Sequence, residues 1–195
     1  MTTIVVFDTE STGLPPRSRP IHDMDAWGRC RIVQMAWAVY AHTGELLAAK
    51  CFTVRPDGFV VPASATAIHG ISHVEAVQSG VPIGDALRAF TSDLSRWRVD
   101  TLVAHNIAFD HPLVASEMFR AGLPMHTFEN FNIMCRYCTM MTGTKPGGKW
   151  PRLGELYFEF FQKPMIGGHK ADQDVDACAQ IYFAQMNAKG RRLEQ

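Results

Sequence analysis

Asp8 and Glu10 stand two residues apart, directly after the apolar and β-branched run from Thr3 to Phe7. Both side chains project to one side if the extended backbone continues through them. Asp110 follows a second apolar stretch that ends at Ala104. Asp174 falls in the first turn or so of the last helical segment, between Ala171 and Ala177, whose small side chains would let that helix approach a sheet closely. Ligands of open α/β sheets gather where strands end, so the four acids have one place to meet. Converged carboxylates repel one another, and such a cluster survives only when protons or cations neutralise it. Hard oxygen ligands select Mg²⁺ or Mn²⁺ over zinc. Three to four carboxylates can hold two divalent ions about 3.5–4 Å apart, the arrangement that clamps a phosphodiester for in-line displacement. Any one of these acids alone reads equally well as a turn residue or a helix cap; four at such positions do not.

The elements that must position them follow from hydrophobic pattern. A strand over 3–7 is buried on both faces, and a long Pro- and Arg-rich connection runs from Leu14 to Cys30. Strands over 31–41 and 46–54 form a hairpin through His42-Thr43-Gly44-Glu45. Two short helical turns over 63–78 are broken by Gly70, and Ile83, Leu87, Phe90, Leu94 and Trp97 mark an amphipathic helix over 83–97. A strand over 101–104 leads into a helix over 108–121, with Pro112 expected in its first turn or so. A short strand near 131–135, a connector from Gly143 to Gly148, and helices over 152–162 and 171–187 complete the chain. This order gives an α/β fold with a mixed central β-sheet and helices on its faces. With 195 residues, 47% hydrophobic and 19% charged, the chain is expected to form one domain over 1–195 with its core at about 3–187, and disorder, collagen and coiled coil are excluded.

Lys plus Arg and Asp plus Glu both number 19, so no long-range attraction to a polyanion is built into the total. Nucleic-acid binding would have to be local or carried by metal ions. The opening residues lack a signal peptide, and no stretch approaches the roughly 18 apolar residues of a spanning helix. The reading is therefore a soluble, cytoplasmic chain without a membrane partner, its five cysteines reduced. Cys135 and Cys138 form one CxxC pair without a second, read as two buried thiols rather than half a zinc site.

Phe7-Asp8-Thr9-Glu10-Ser11-Thr12-Gly13-Leu14, His105-Asn106-Ile107-Ala108-Phe109-Asp110 and His169-Lys170-Ala171-Asp172-Gln173-Asp174 resemble, in order, the three motifs of the DEDDh (DnaQ-like) 3′-to-5′ exonucleases. That family includes the proofreading subunit of bacterial DNA polymerase III. The His-x4-Asp spacing matches the branch that uses His rather than Tyr, and the resemblance covers Val6 to about Met186. It implies an RNase H-like fold and release of 5′-mononucleotides from single-stranded or frayed 3′ ends, DNA in preference to RNA. It further implies that Asp8 bridges two Mg²⁺ or Mn²⁺ ions, that Glu10 and Asp174 complete the first site and that Asp110 holds the second. His169 would be the general base, since an imidazole with an ordinary pKa of about 6.5 accepts a proton at cellular pH; the bland alternative is a helix cap after Gly167-Gly168. His105 is read as structural.

By the same analogy Thr12, Gly13 and Leu14 would meet the last nucleotide, Leu14 as an apolar wedge. Phe109 and His69, the latter in the matching segment Ile68-His69-Gly70-Ile71, would lie against bases, and Asn106 near the backbone. Phe109 reads equally as core. The chain departs from the family in its long 14–30 connection, with Arg17, Arg19, Arg29 and Arg31 at or near it, and in Gln34, where relatives often have Glu. The connection either touches the substrate strand or is a solvated excursion. No segment after the catalytic motifs resembles a clamp- or polymerase-binding tail, so attachment to a replicative polymerase is not expected. Two rival readings stay open: an exonuclease acting on RNA or short oligoribonucleotides, and a non-catalytic nucleic-acid-binding module on the same fold.

Overall fold

The opening apolar run becomes β1 (Thr3–Ser11), the middle strand of a sheet whose strands flank it on both sides. The chain continues through α1 (Met24–Trp27), β2 (Ile32–Ala41), β3 (Leu46–Thr53), α2 (Ala63–His69), α3 (His73–Ser79), α4 (Ile83–Arg96) and β4 (Val99–Ala104). There follow α5 (Ile107–Arg120), α6 (Met125–Ile133), β5 (Cys135–Cys138), α7 (Thr139–Gly143), α8 (Leu153–Phe161) and α9 (Ala171–Leu193). This computed structural model describes residues 3–145, 147–166 and 168–193; Met1, Gly167 and Gln195, on which parts of the sequence reading fall, lie outside the described residues. Among the described residues the sheet order is β3-β2-β1-β4-β5, with β1, β2 and β3 antiparallel and β1, β4 and β5 parallel, so the sheet is mixed. No helix among the described residues is long and apolar enough to cross a membrane.

Alternation along β1 builds two cores. Val5 and Phe7 point into one with Trp37, Leu87, Phe90, Leu113 and Phe131, under α4 and α5. Ile4 and Val6 point into the other with Ala36, Ala38, Val103, Ala171, Val175 and Cys178, under α9. Trp37 donates its ring N–H to buried Asp93 at 2.9 Å, and Lys50 neutralises that carboxylate at 2.8 Å.

The bounds of β1 and β5 and the place of Pro112 differ from expectation. β1 does not stop at Phe7: β2 pairs with it as far as Ser11, opposite Ile32, because a partner strand dictates extension whatever the side chains are. The strand expected near 131–135 is the end of α6, and β5 begins only at Cys135, where pairing with Thr101 becomes possible. Cys135 is thus exposed on an edge strand rather than buried, and the Cys138 sulfur accepts the Met141 N–H at 3.5 Å. Residues three apart on a strand point to opposite faces, so the pair does not form half a zinc site. Pro112 sits in the second turn of α5, where the carbonyl it leaves unpaired belongs to exposed Ala108.

The 14–30 connection is anchored at a few points along a largely exposed course, with Leu14, residues 17–20 and Arg29 exposed. Trp27 is buried and donates to the Pro20 carbonyl at 2.9 Å. At its exit Arg31 is 8% exposed, and its Nε donates to Glu117 Oε1 at 2.7 Å while its guanidinium lies 4.4 Å from the Phe59 ring centroid. Glu117 also accepts the Ile32 N–H and pairs with Arg120 at 3.1 Å, so one buried carboxylate ties the start of β2 to α5. Glu117→Ala would strand two buried cations, and we expect denaturant unfolding to register a loss of about 3–5 kcal/mol. A loss below about 1 kcal/mol, the range of exposed pairs, would show that solvent screens this network.

Candidate active site

Because β1 runs on through its acids, Asp8 and Glu10 continue the row of Ile4 and Val6 and face α9. Ala36, Ala38, Ala171 and Ala179 keep that interface shallow, so the first turn of α9 brings Asp174 to the same place. Ala177, expected against the sheet, instead packs on Leu156 and Tyr157 of α8. Ligand atoms of Asp8, Glu10 and Asp174 all lie within 4.8 Å of one another.

Asp110 arrives from the other face. Pairing of β1 with β4 ends at Val6 and Val103, leaving the Thr9 N–H without a strand partner. Asp110 Oδ1 accepts that N–H at 3.0 Å and the Thr9 hydroxyl at 2.7 Å. Thr9 is a site residue that sequence reading passed over, although its place between two candidate ligands was a usable signal. Asp110 is not a member of the 4.8 Å triad, but its charge reaches it.

Burial raises the Asp8 carboxyl well above the ordinary range, and Asp110, Asp174 and Glu10 push it further. Glu10 is driven up to about 7, by burial first and then by Asp174 and Asp110. Asp110 also reaches about 7, by burial, against the lowering effect of its bonds from Thr9. Asp174 is raised by burial and Asp172 but lowered by His169. Such a cluster holds protons near neutral pH unless a cation replaces them. The converging donors are all carboxylate oxygens, which fits Mg²⁺ or Mn²⁺ on Asp8, Glu10 and Asp174, with Asp110 adjoining.

His169 precedes α9 in the left-handed conformation, at φ 58°. Its backbone N–H bonds the Asp174 carboxylate, and the Gly168 N–H donates to Gln173 Oε1 at 3.2 Å. The Lys170 carbonyl, not the His169 ring, opens the helical bonding by accepting from Gln173 and Asp174. His169 and Asp174 line one cleft of about 1150 Å³, walled by Ile68, Arg152, Phe158 and Met165. Ile68 and Phe158 are exposed, and no sequence periodicity marked them or Arg152 as neighbours of the acids.

The expected substrate contacts divide. Leu14 is 83% exposed, as a wedge requires. The Thr12 hydroxyl donates to the Arg29 carbonyl at 3.0 Å and accepts the Arg31 N–H at 2.9 Å, so it braces the loop. A Cβ at Gly13 would stand 3.1 Å from the Arg29 carbonyl oxygen, which explains the glycine. Arg17, Arg19 and Arg29 are exposed, Arg19 near Asp23 at 3.6 Å, whereas Arg31 is committed to Glu117. Phe109 is half-buried against the α4/α5 core, and Asn106 takes a left-handed turn at the start of α5. His69 is buried; its Nδ1 accepts the Ile71 N–H at 3.1 Å, which leaves the hydrogen on Nε2, an atom with no partner among the described residues. Burial, and then the neighbouring His169, lowers the pKa of this ring below the ordinary imidazole value. His105 spends both nitrogens, on Thr139 and the Pro151 carbonyl, and is structural as read.

The model of the RNase_T family, described as exonuclease, matches residues 5–182. A DNA polymerase III subunit epsilon-like protein of Rhodobacter capsulatus is 37% identical over 113 residues, covering 55% of this chain and 13% of that protein. Exonuclease I of E. coli in complex with a dT13 oligonucleotide superposes with a TM-score of 0.77 at 16% identity, over 100% of this chain and 43% of that one. The moderately thermophilic exonuclease I of Methylocaldum szegediense gives 0.74 at 18% identity, over 96% and 41%. The chain therefore spans less than half the length of each of these relatives.

The raised carboxyls have a thermodynamic consequence. In the unfolded chain these groups titrate at about 4, whereas Glu10 and Asp110 in the folded chain titrate at about 7. Their contribution to stability is therefore fully present below about pH 4 and is lost as pH rises through about 7. In EDTA the melting temperature should fall between about pH 5 and pH 8, and the gain on adding Mn²⁺ should be larger at the higher pH. Asp8→Asn should flatten the EDTA trend. A Mn²⁺ effect of equal size at both pH values would refute a charge-repelled cation site.

Proposed function

The chain belongs to the RNase_T exonuclease family and has its RNase H-like fold, and from that premise we propose that it is a 3′-to-5′ exonuclease releasing 5′-mononucleotides from single-stranded or frayed DNA. The observation that carries this is the meeting of Asp8, Glu10 and Asp174 within 4.8 Å, with Asp174 lining the same cleft as His169. Exonuclease I, the fold's relative, has been crystallised with dT13 and with dA16 oligonucleotides, which favours single-stranded DNA as the substrate class here.

Two divalent ions, Mg²⁺ or Mn²⁺, held by Asp8, Glu10, Asp174 and Asp110, would neutralise the scissile phosphodiester and the developing charge of its displacement. His169 Nδ1 or Nε2 takes a proton from the attacking water as the new P–O bond forms and the bond to the preceding sugar's O3′ breaks, the departing O3′ taking a proton from solvent to become the new 3′-hydroxyl. Thr9 holds Asp110 in place through two hydrogen bonds to one oxygen. Leu14 wedges against the terminal base, while exposed Ile68 and Phe158 offer apolar faces to any base. His69 Nε2–H, buried and unpartnered among the described residues, donates to an acceptor on the terminal nucleotide.

Matched 3′- and 5′-labelled DNA and RNA oligomers should show loss of mononucleotides from the 3′ end of DNA, abolished by EDTA and restored by Mg²⁺ or Mn²⁺. Preference for the RNA oligomer would transfer the activity to RNA, and persistence in EDTA would remove the metal reading. His169→Ala keeps every carboxylate, so single-stranded DNA should still bind while kcat falls by about 10² or more. Asp174→Ala should lose metal affinity and be partly rescued by excess Mn²⁺. A His169→Ala defect cured by Mn²⁺ would make His169 something other than the base.

A further inference from the structure

The bonding of backbone N–H groups where α9 begins points to a residue outside the three motifs. The first N–H groups of any helix have no partner within it. Here Gly168 gives its N–H to Gln173, His169 to Asp174, and Ala171, the first residue of α9, to Gln34 Oε1 at 2.9 Å across 137 residues of chain. Gln34 lies on β2 directly opposite Glu10, so both side chains share the face that α9 covers. The rest of that interface consists largely of small and apolar side chains from Ile4 to Tyr182. Such contacts set the distance between helix and sheet but are non-directional, so they tolerate sliding and rotation. A hydrogen bond from Gln34 to the first helical N–H is directional and fixes the helix along its axis at the turn that carries Asp174.

We infer that Gln34 is a positioning residue, a helix cap supplied by the sheet that sets His169 and Asp174 opposite Asp8 and Glu10. The catalytic part of this inference rests on the exonuclease reading; the structural part does not. The bond matters because His169, two residues before Ala171, is held in a left-handed conformation that relaxes unless its neighbours are pinned.

Gln34→Leu removes the acceptor, Gln34→Asn keeps the amide but shortens its reach, and Gln34→Glu keeps both acceptor and reach. Hydrogen exchange of the Ala171 amide in the intact chain should speed up at least about tenfold in the Leu and Asn variants and stay near wild type in the Glu variant. On single-stranded DNA with saturating Mg²⁺, kcat should fall about tenfold to a hundredfold for Leu and Asn, the scale of small misplacements, with KM within about threefold of wild type. Gln34→Glu should recover most of that kcat. Should the Leu variant fail to fold, the Asn variant decides. Unchanged Ala171 exchange overturns the inference, as does a loss confined to KM or melting temperature. If the wild type degrades no DNA, the exonuclease reading fails while Ala171 exchange still tests the cap.

Discussion

Mutual repulsion among buried and half-buried carboxylates is the constraint on which the arrangement of this site depends. Asp8 and Glu10 sit on one row of the central strand, α9 brings Asp174 against them, and Asp110 adjoins this triad from the opposite face, close enough for its charge to act on it. Left as four anions, the group would push α9 off the sheet. What resists is the burial of Ile4, Val6, Ala36, Ala38, Val175 and Cys178 along the rest of the α9 interface, roughly 25 cal/mol for each Å² of apolar surface removed from water. The site is thus a local destabilisation carried by a stable interface, ready to exchange protons for divalent ions.

Around that cluster the backbone is accounted for with unusual care. The Thr9 N–H, abandoned by β4, goes to Asp110. The N–H groups of Gly168, His169 and Ala171 go to three side chains from two elements. Each bond fixes a catalytic candidate relative to its neighbour, and each uses a donor that would otherwise be unsatisfied in a partly buried place. His69 is the exception, and its unpartnered donor near His169 is consistent with a ligand group completing the set.

The long connection between β1 and β2 belongs to this positioning system. Its return at Arg29–Arg31 closes onto Thr12 and Gly13 through backbone and hydroxyl hydrogen bonds, and Glu117 anchors its exit to α5. Leu14, next to Gly13 on this braced segment, is exposed to solvent.

Much of this was legible in the sequence. Period-two alternation placed Asp8 and Glu10 on one side, and the ordered motifs gathered Asp110, His169 and Asp174 with them, because residue type and spacing are local properties that a chain displays openly. The mixed sheet followed from the order of apolar runs. What the sequence did not disclose depends on partners far along the chain: β1 extends to Ser11 because β2 pairs with it, and β5 begins at Cys135 because β4 offers its edge there. Arg31, one of four arginines at or near a connection that reads either as touching substrate or as solvated, proves buried against Glu117, 86 residues away. Gln34 and Phe158 lie outside the motifs, and Thr9 lies within one without being singled out. Their roles arise only when folding sets Thr9 on Asp110, Gln34 on α9 and Phe158 on the cleft, since a hydrogen bond or a wall is a relation between residues that no single segment contains.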